Sequence, residues 1–201
     1  MQLSELQIDY IKELFNVGLG EAIVELNDMI NEEILMSVPN FDLFEKNAIF
    51  EKLQIESDRN VTAVVLPIQG GMECNGILLF PAQHSLNLVR KVLKETSGAD
   101  TLTALEVESL TEISSIILDA IITSISDMMH VSISTGMPSA YSGSFQALVD
   151  KYYVGDTVMS VGMHFEIKDS QVRGDILFVQ DILVIEDFLE KTNQMLSELG
   201  L

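Results

Sequence analysis

The chain has 201 residues, 47% of them hydrophobic, which allows a sizeable core and excludes intrinsic disorder. Its 31 acidic and 11 basic residues leave a formal net charge of -20, a field that repels DNA, RNA or any other polyanion. Such a surface suits solubility and a partner with basic patches.

The first segment, about Ser4 to Ile30, has helical periodicity, with Ser4 as N-cap and Gln7 completing a capping box. Plotted at about 100° per residue, Ile11, Leu14, Phe15, Gly18, Ala22 and Met29 share one side, and Gln2, Glu5, Asp9, Glu13 and Asn16 the other. Ile34 to Val38 predicts a strand stopped by Pro39. Residues 41–60 fit a strand or a short helix equally and stay unassigned. Val61 to Ile68 is β-branched and apolar, Gly70-Gly71 signals a turn, and Glu73 to Phe80 predicts a second strand ended by Pro81. Ser85 to Lys94 reads as an amphipathic helix, and Ser97-Gly98-Ala99-Asp100 as a boundary.

A second long helix is predicted from Ala104 to about Met129, then a short stretch, Val131 to Ser134, ending near Pro138. After a middle without a clear period come strands near Thr157 to Ile167 and Gln171 to Val179, and a helix from about Leu183 to Leu199. The longest apolar run, around Ile116 to Ile125, is broken by Asp119 and falls short of the roughly 20 residues that cross a bilayer. One cysteine, Cys74, cannot form an internal disulfide, and the acidic N-terminus lacks a secretory pattern. A soluble, cytosolic chain without a membrane partner is expected.

The element order recurs in register. Glu13, Asn16 and Pro39 sit 99 positions before Glu112, Ser115 and Pro138, and Asn75-Gly76-Ile77-Leu78-Leu79-Phe80 sits 98 before Arg173-Gly174-Asp175-Ile176-Leu177-Phe178. Two copies are too few for a solenoid. The expectation is one α+β domain over 1–201, with repeat halves of about 1–98 and 99–201. Each half is an α-β-β-β-α unit, the two are related by a pseudo-twofold, and the strands form a mostly antiparallel sheet under long helices.

Asp9, Glu13 and Asn16 are spaced by four and three residues, which makes neighbours on a helix, within about 60° of one another. Any solvated helix face shows such a stripe. Its extension and echo are more specific: Asp9-x3-Glu13-x2-Asn16-x22-Pro39 against Glu108-x3-Glu112-x2-Ser115-x22-Pro138. With these residues, the segment Glu13-Leu-Phe-Asn-Val-Gly-Leu-Gly20 and the strand at Gly76 with its echo at Gly174, the chain resembles the CheC/CheX/FliY family of chemotaxis phosphatases. The duplicated arrangement is most like CheC, and the likeness spans nearly the whole chain.

The resemblance implies an aspartyl-phosphate phosphatase whose partner is the phosphorylated receiver of a CheY-like response regulator. It implies Glu13 and Asn16 as the working pair and Asp9 and Glu112 as docking contacts. No cofactor is expected on this chain; the Mg2+ is expected to be held by the receiver. In the second copy Ser115 replaces the amide and Glu108 replaces Asp or Ser, so that site is expected to be weak or silent. The alternative is a non-catalytic adaptor that binds a receiver or a CheD-like deamidase.

Other signals give way to simpler readings. Gly18-x-Gly20 lacks the preceding strand and later glycine of a dinucleotide loop, so helix packing explains Gly18. His84, His130 and His164 have no ligand spacing with one another or with Cys74, which reads as a buried small hydrophobe. Ser114 and Ser115 lack a G-x-S-x-G elbow.

Overall fold

A computed structural model describes residues 3–30, 33–71, 73–94, 102–153, 155–167, 170–180, 182–198 and 200. The predicted boundary at Ser97-Gly98-Ala99-Asp100 lies outside them. The first half comprises α1 (Glu5–Ile30), β1 (Ile34–Glu45), a 3-10 turn (Lys46–Ala48), α2 (Ile49–Leu53), β2 (Asn60–Gly70), β3 (Cys74–Pro81) and α3 (Ala82–Leu93). The second comprises α4 (Ala104–Met128), β4 (Ile133–Thr135), β5 (Ser139–Ser144), α5 (Phe145–Tyr152), β6 (Thr157–Ile167), β7 (Ser170–Gln180) and α6 (Ile182–Glu198).

Helix starts follow the expected chemistry. Ser4 Oγ accepts from the Gln7 N–H at 3.1 Å and Gln7 Oε1 accepts from the Ser4 N–H at 2.7 Å. Thr103 and Glu106 repeat the box on α4, where buried Glu106 also takes the Arg90 guanidinium at 2.8 Å and ties α3 to α4. The Thr103 N–H, then the Arg90 hydrogen bond, hold the Glu106 carboxyl below its ordinary range. Gln7 makes the matching tie from α1, donating through Nε2 to Asn193 on α6 at 2.8 Å.

Every strand pairing among the described residues is antiparallel, in the order β1-β6-β7-β3-β2-β4, with β5 also on β2. The hairpins β2–β3 and β6–β7 meet at the centre. The opening strand of each half crosses to the other: β1 lies on β6, and β4 and β5 lie on β2. The halves therefore interlock. The segments without a clear period hold α2 and α5, five and eight residues long, too short for a helical period to emerge.

The sheet is buried on both faces. Val64, Leu66, Leu78, Phe80, Ile176 and Phe178 pack toward α1 and α4; Ala63, Val65, Ile77, Leu79, Leu177 and Val179 pack toward Ile49, Phe145 and Leu148. The repeated glycines serve this packing reciprocally. A Cβ on Gly76 would meet Phe178 Cε1 at 3.3 Å, and one on Gly174 would meet Phe80 Cε1 at 2.9 Å. Each half's glycine seats the other half's phenylalanine. Gly70, in the β2–β3 turn, has φ +99°, the left-handed region glycine tolerates.

Helix α4 departs from expectation in one respect. Among the described residues it is the one helix long and apolar enough, by length and composition, to cross a membrane. Its isoleucines 113, 117, 121 and 125 are buried against α1 and the sheet, which is the pattern of a core helix.

Asp175 sits in β7 between core residues, and burial pushes its carboxyl up to about 6. The buried Tyr153 hydroxyl beside it has no hydrogen-bond partner among the described residues and is held above its usual range by burial and by that carboxylate. A carboxyl raised on folding binds its proton more tightly in the folded state, so stability falls as pH rises from about 4 through 6. Asp175→Asn is expected to stabilise the protein by roughly 2 kcal/mol at pH 8. The advantage should vanish near pH 4, as read from denaturant unfolding at both pH values.

Candidate functional site on the outer face of the first helix

Helix α1 buries Ile11, Leu14, Phe15, Gly18, Leu19, Ala22 and Leu26, and this orients everything else on it. Asp9, Glu13 and Asn16 emerge on the opposite side, all exposed. Met29, which periodicity placed on the apolar side, is 39% exposed at the helix end.

Asn16 is held. Its Oδ1 accepts a hydrogen bond from the Val38 N–H at 3.2 Å, which aims the Nδ2 group at solvent and leaves Oδ1 a second lone pair. Val38 has this N–H to give because of Pro39. Proline cannot donate to the β1–β6 ladder, and the register shifts between Ser37 and Asn40. The residue before a proline is also confined to extended backbone. Pro39 therefore offsets the strand and does not end it: β1 continues to Glu45, a correction to the expected stop. The 22-residue gap between Asn16 and Pro39 acquires a physical meaning, since the proline spares the donor that fixes the amide. Val38 was missed in the sequence because its contribution is a backbone group, although Pro39 beside it marked the place.

The second copy lacks both parts. Glu108 and Glu112 are exposed on α4 at the matching positions. Ser115, however, donates its hydroxyl to the Thr111 carbonyl of its own helix at 2.8 Å. Met137, the counterpart of Val38, is 88% exposed, and among the described residues its N–H meets no side chain of α4. Ser114 faces the core and its hydroxyl has no partner among the described residues.

The arrangement is convex. Two large concavities among the described residues lie elsewhere: a groove of about 720 Å³ lined by Phe44, Lys46, Phe50, Gln146 and Asp150, and one of about 800 Å³ beside Pro67, Gly70 and Cys74. A small substrate needs a pocket to bury it. An exposed carboxylate and amide on a helix ridge suit a macromolecular substrate that brings its own pocket. Among the described residues no group of three His, Cys, Asp or Glu could hold a metal ion. Burial pushes the Cys74 thiol up to about 12, so it stays protonated and is no nucleophile near neutral pH.

No family model matches the chain. Among curated proteins it is similar to the CheY-P phosphatase CheC of Bacillus subtilis (strain 168), 21% identical over 179 residues, covering 85% of this chain and 81% of that protein. Among solved structures it shares its fold with Thermotoga maritima FliY, at TM-score 0.77 and 15% identity over 97% of this chain and 100% of that one. The FliM middle domain from H. pylori follows at TM-score 0.69 and 12% identity, covering 94% and 99%. A CheX–CheY–BeF3–Mg2+ complex from Borrelia burgdorferi matches at TM-score 0.52 and 20% identity, covering 86% and 99%.

Proposed function

We propose that the chain works as a member of the CheC/CheX/FliY family, to which it is similar, and hydrolyses the phospho-aspartate of a CheY-type response regulator in the cytoplasm. The observation that carries this reading is the exposed Glu13–Asn16 pair with its amide held by the Val38 N–H. Hydrolysis joins a water oxygen to phosphorus as the P–O bond to the aspartate breaks, releasing a free carboxylate and inorganic phosphate. The receiver's own lysine and Mg2+ balance the charge on the phosphoryl oxygens, so what remains to be supplied is an in-line water. Asn16 holds that water through the free lone pair of Oδ1 or through Nδ2. A neutral amide does this without the repulsion a second carboxylate would bring. Glu13, one turn away, pairs with the receiver's lysine in a charge-assisted contact that fixes the angle of approach. Asp9 lies at the rim and assists docking.

The test is phosphate release from a labelled receiver with the wild-type chain and with Asn16→Ala; equal rates would remove the assignment. Ser115→Asn placed in the Asn16→Ala background tests the second copy. It should raise the rate little above that of Asn16→Ala alone, because no backbone N–H holds the new amide and a misplacement of about 1 Å costs on the order of 100-fold. Full recovery would mean that the clamp on Asn16 is dispensable.

Two observations favour the adaptor reading: half of the duplicated motif has lost its amide, and the FliM middle domain shares the fold. An adaptor binds a receiver, or a CheD-like deamidase, without speeding dephosphorylation. The same assay separates the two.

A further inference from the structure

Helix α1 exposes more than its polar pair. Leu6 is 43% exposed, Val17 38% and Val24 65%, and Gly20 is exposed in mid-helix. With Asp9, Glu13 and Asn16 these residues fall in an arc of about 100° and span about 27 Å at about 1.5 Å per residue. Lys12, Glu21 and Asp28 flank the arc. Apolar side chains inside a charged border are the anatomy of a binding surface.

Gly20 is the telling residue. Gly18, two positions away, is required by packing, since a Cβ there would stand 2.6 Å from Ile121 Cα. A Cβ on Gly20 would meet nothing within 4 Å. Glycine inside a helix costs stability relative to alanine, and here no internal contact offsets the loss. A surface that approaches the helix backbone from outside supplies the missing reason.

The chain contains its own control. On α4 the residues matching Leu6, Val17, Gly20 and Val24 are Leu105, Ile116, Asp119 and Thr123. The face that lost its amide has also exchanged the open glycine for a carboxylate and the most exposed valine for a threonine. That face keeps Leu105, 51% exposed, and Ile116, so what it has lost with the amide is the open glycine and the valine after it.

We propose that Leu6, Val17, Gly20 and Val24 form the docking surface for the receiver domain, packed to backbone contact at Gly20, and that α1 alone engages it, one receiver per chain. This rests on the phosphatase reading for the identity of the partner, and it replaces the expectation that Glu112 serves as a second docking contact.

The test titrates the full chain with a CheY-type receiver activated by beryllofluoride and Mg2+, and measures steady-state hydrolysis alongside. Gly20→Asp and Val24→Asp are expected to raise Kd and KM by about 10-fold or more with kcat within about twofold, the mark of binding lost equally in ground and transition states. Asp119→Gly should leave both unchanged, and the stoichiometry should be one to one. Gly20→Ala guards against misfolding as the cause: it should raise Tm by about 2 °C while weakening binding about threefold. Wild-type affinity in Gly20→Asp and Val24→Asp, or two receivers bound per chain, would overturn the proposal. A wild-type chain that shows these binding effects but does not speed hydrolysis removes the phosphatase reading and leaves the docking surface standing. Binding to no activated receiver removes both.

Discussion

Asn16→Ala is expected to lower receiver dephosphorylation by about 100-fold or more while changing affinity for the activated receiver by less than about threefold. The asymmetry follows from where the side chain stands. Asn16 is exposed at the margin of the docking arc, so its truncation removes little contact area. What it removes is the amide one turn from Glu13, already oriented by the Val38 N–H before any partner arrives. An interaction made mainly with the attacking water is felt in kcat. Asn16→Gln keeps the amide but adds a methylene, so the Val38 hydrogen bond and the water position cannot both be kept. It should fall close to the alanine variant. Asn16→Asp, which adds negative charge beside a phosphoryl group, should be no better than alanine. Single-turnover decay of a labelled receiver and binding of the beryllofluoride form separate these quantities. A loss confined to affinity would make Asn16 a docking residue and return the chain to the adaptor reading.

Gly18→Val is expected to destabilise the fold by about 3 kcal/mol, lowering Tm by roughly 6–12 °C. The first added carbon would stand 2.6 Å from Ile121 Cα and 3.1 Å from the Ala120 carbonyl oxygen, both of them backbone atoms that no rotamer change can move aside. Helix α4 must then retreat from α1, and the Ser124 Oγ contact to the Leu14 carbonyl, 3.4 Å long, stretches with it. Alanine at this position meets the same clash but recovers about 1 kcal/mol of helix propensity, so its cost is smaller. Thermal and denaturant unfolding read the effect directly. Activity per folded molecule should fall as well, because Asn16 and Glu13 lie on the adjoining turns and the Val38 clamp tolerates little displacement. Unchanged stability would mean that the helices do not cross at Gly18. The pair Gly18 and Gly20 thus makes opposite predictions two residues apart, one set by an internal neighbour and one by a partner.

Much of the architecture is legible in the residues alone. The capping box at Ser4 and Gln7, both long helices and the paired hairpins follow from local chemistry and from alternation or periodicity, which act within a few residues. The duplication is legible for the same reason, because repeated local pattern needs no knowledge of contacts. Glu13 and Asn16 emerge together from helical spacing, and the replacement of the amide by Ser115 can be seen directly. Each of these is a short-range property of the chain.

What pairs with what was decided only on folding. Nothing local says that β1 leaves its own half for β6, that the glycine of each half seats the phenylalanine of the other, or that Pro39 shifts the β1 register and continues the strand. The same holds for the amide clamp, where Val38 contributes a backbone N–H identical to that of any other residue until Pro39 spares it from the ladder. Side-chain chemistry is written in the sequence; which backbone group meets it across 22 residues is a long-range packing outcome, settled by the hydrophobic burial that brings β1 beside α1. The sequence by itself determined which side chains each copy carries, and the tertiary structure decided that the amide of one is held by a backbone N–H while the serine of the other turns to its own helix.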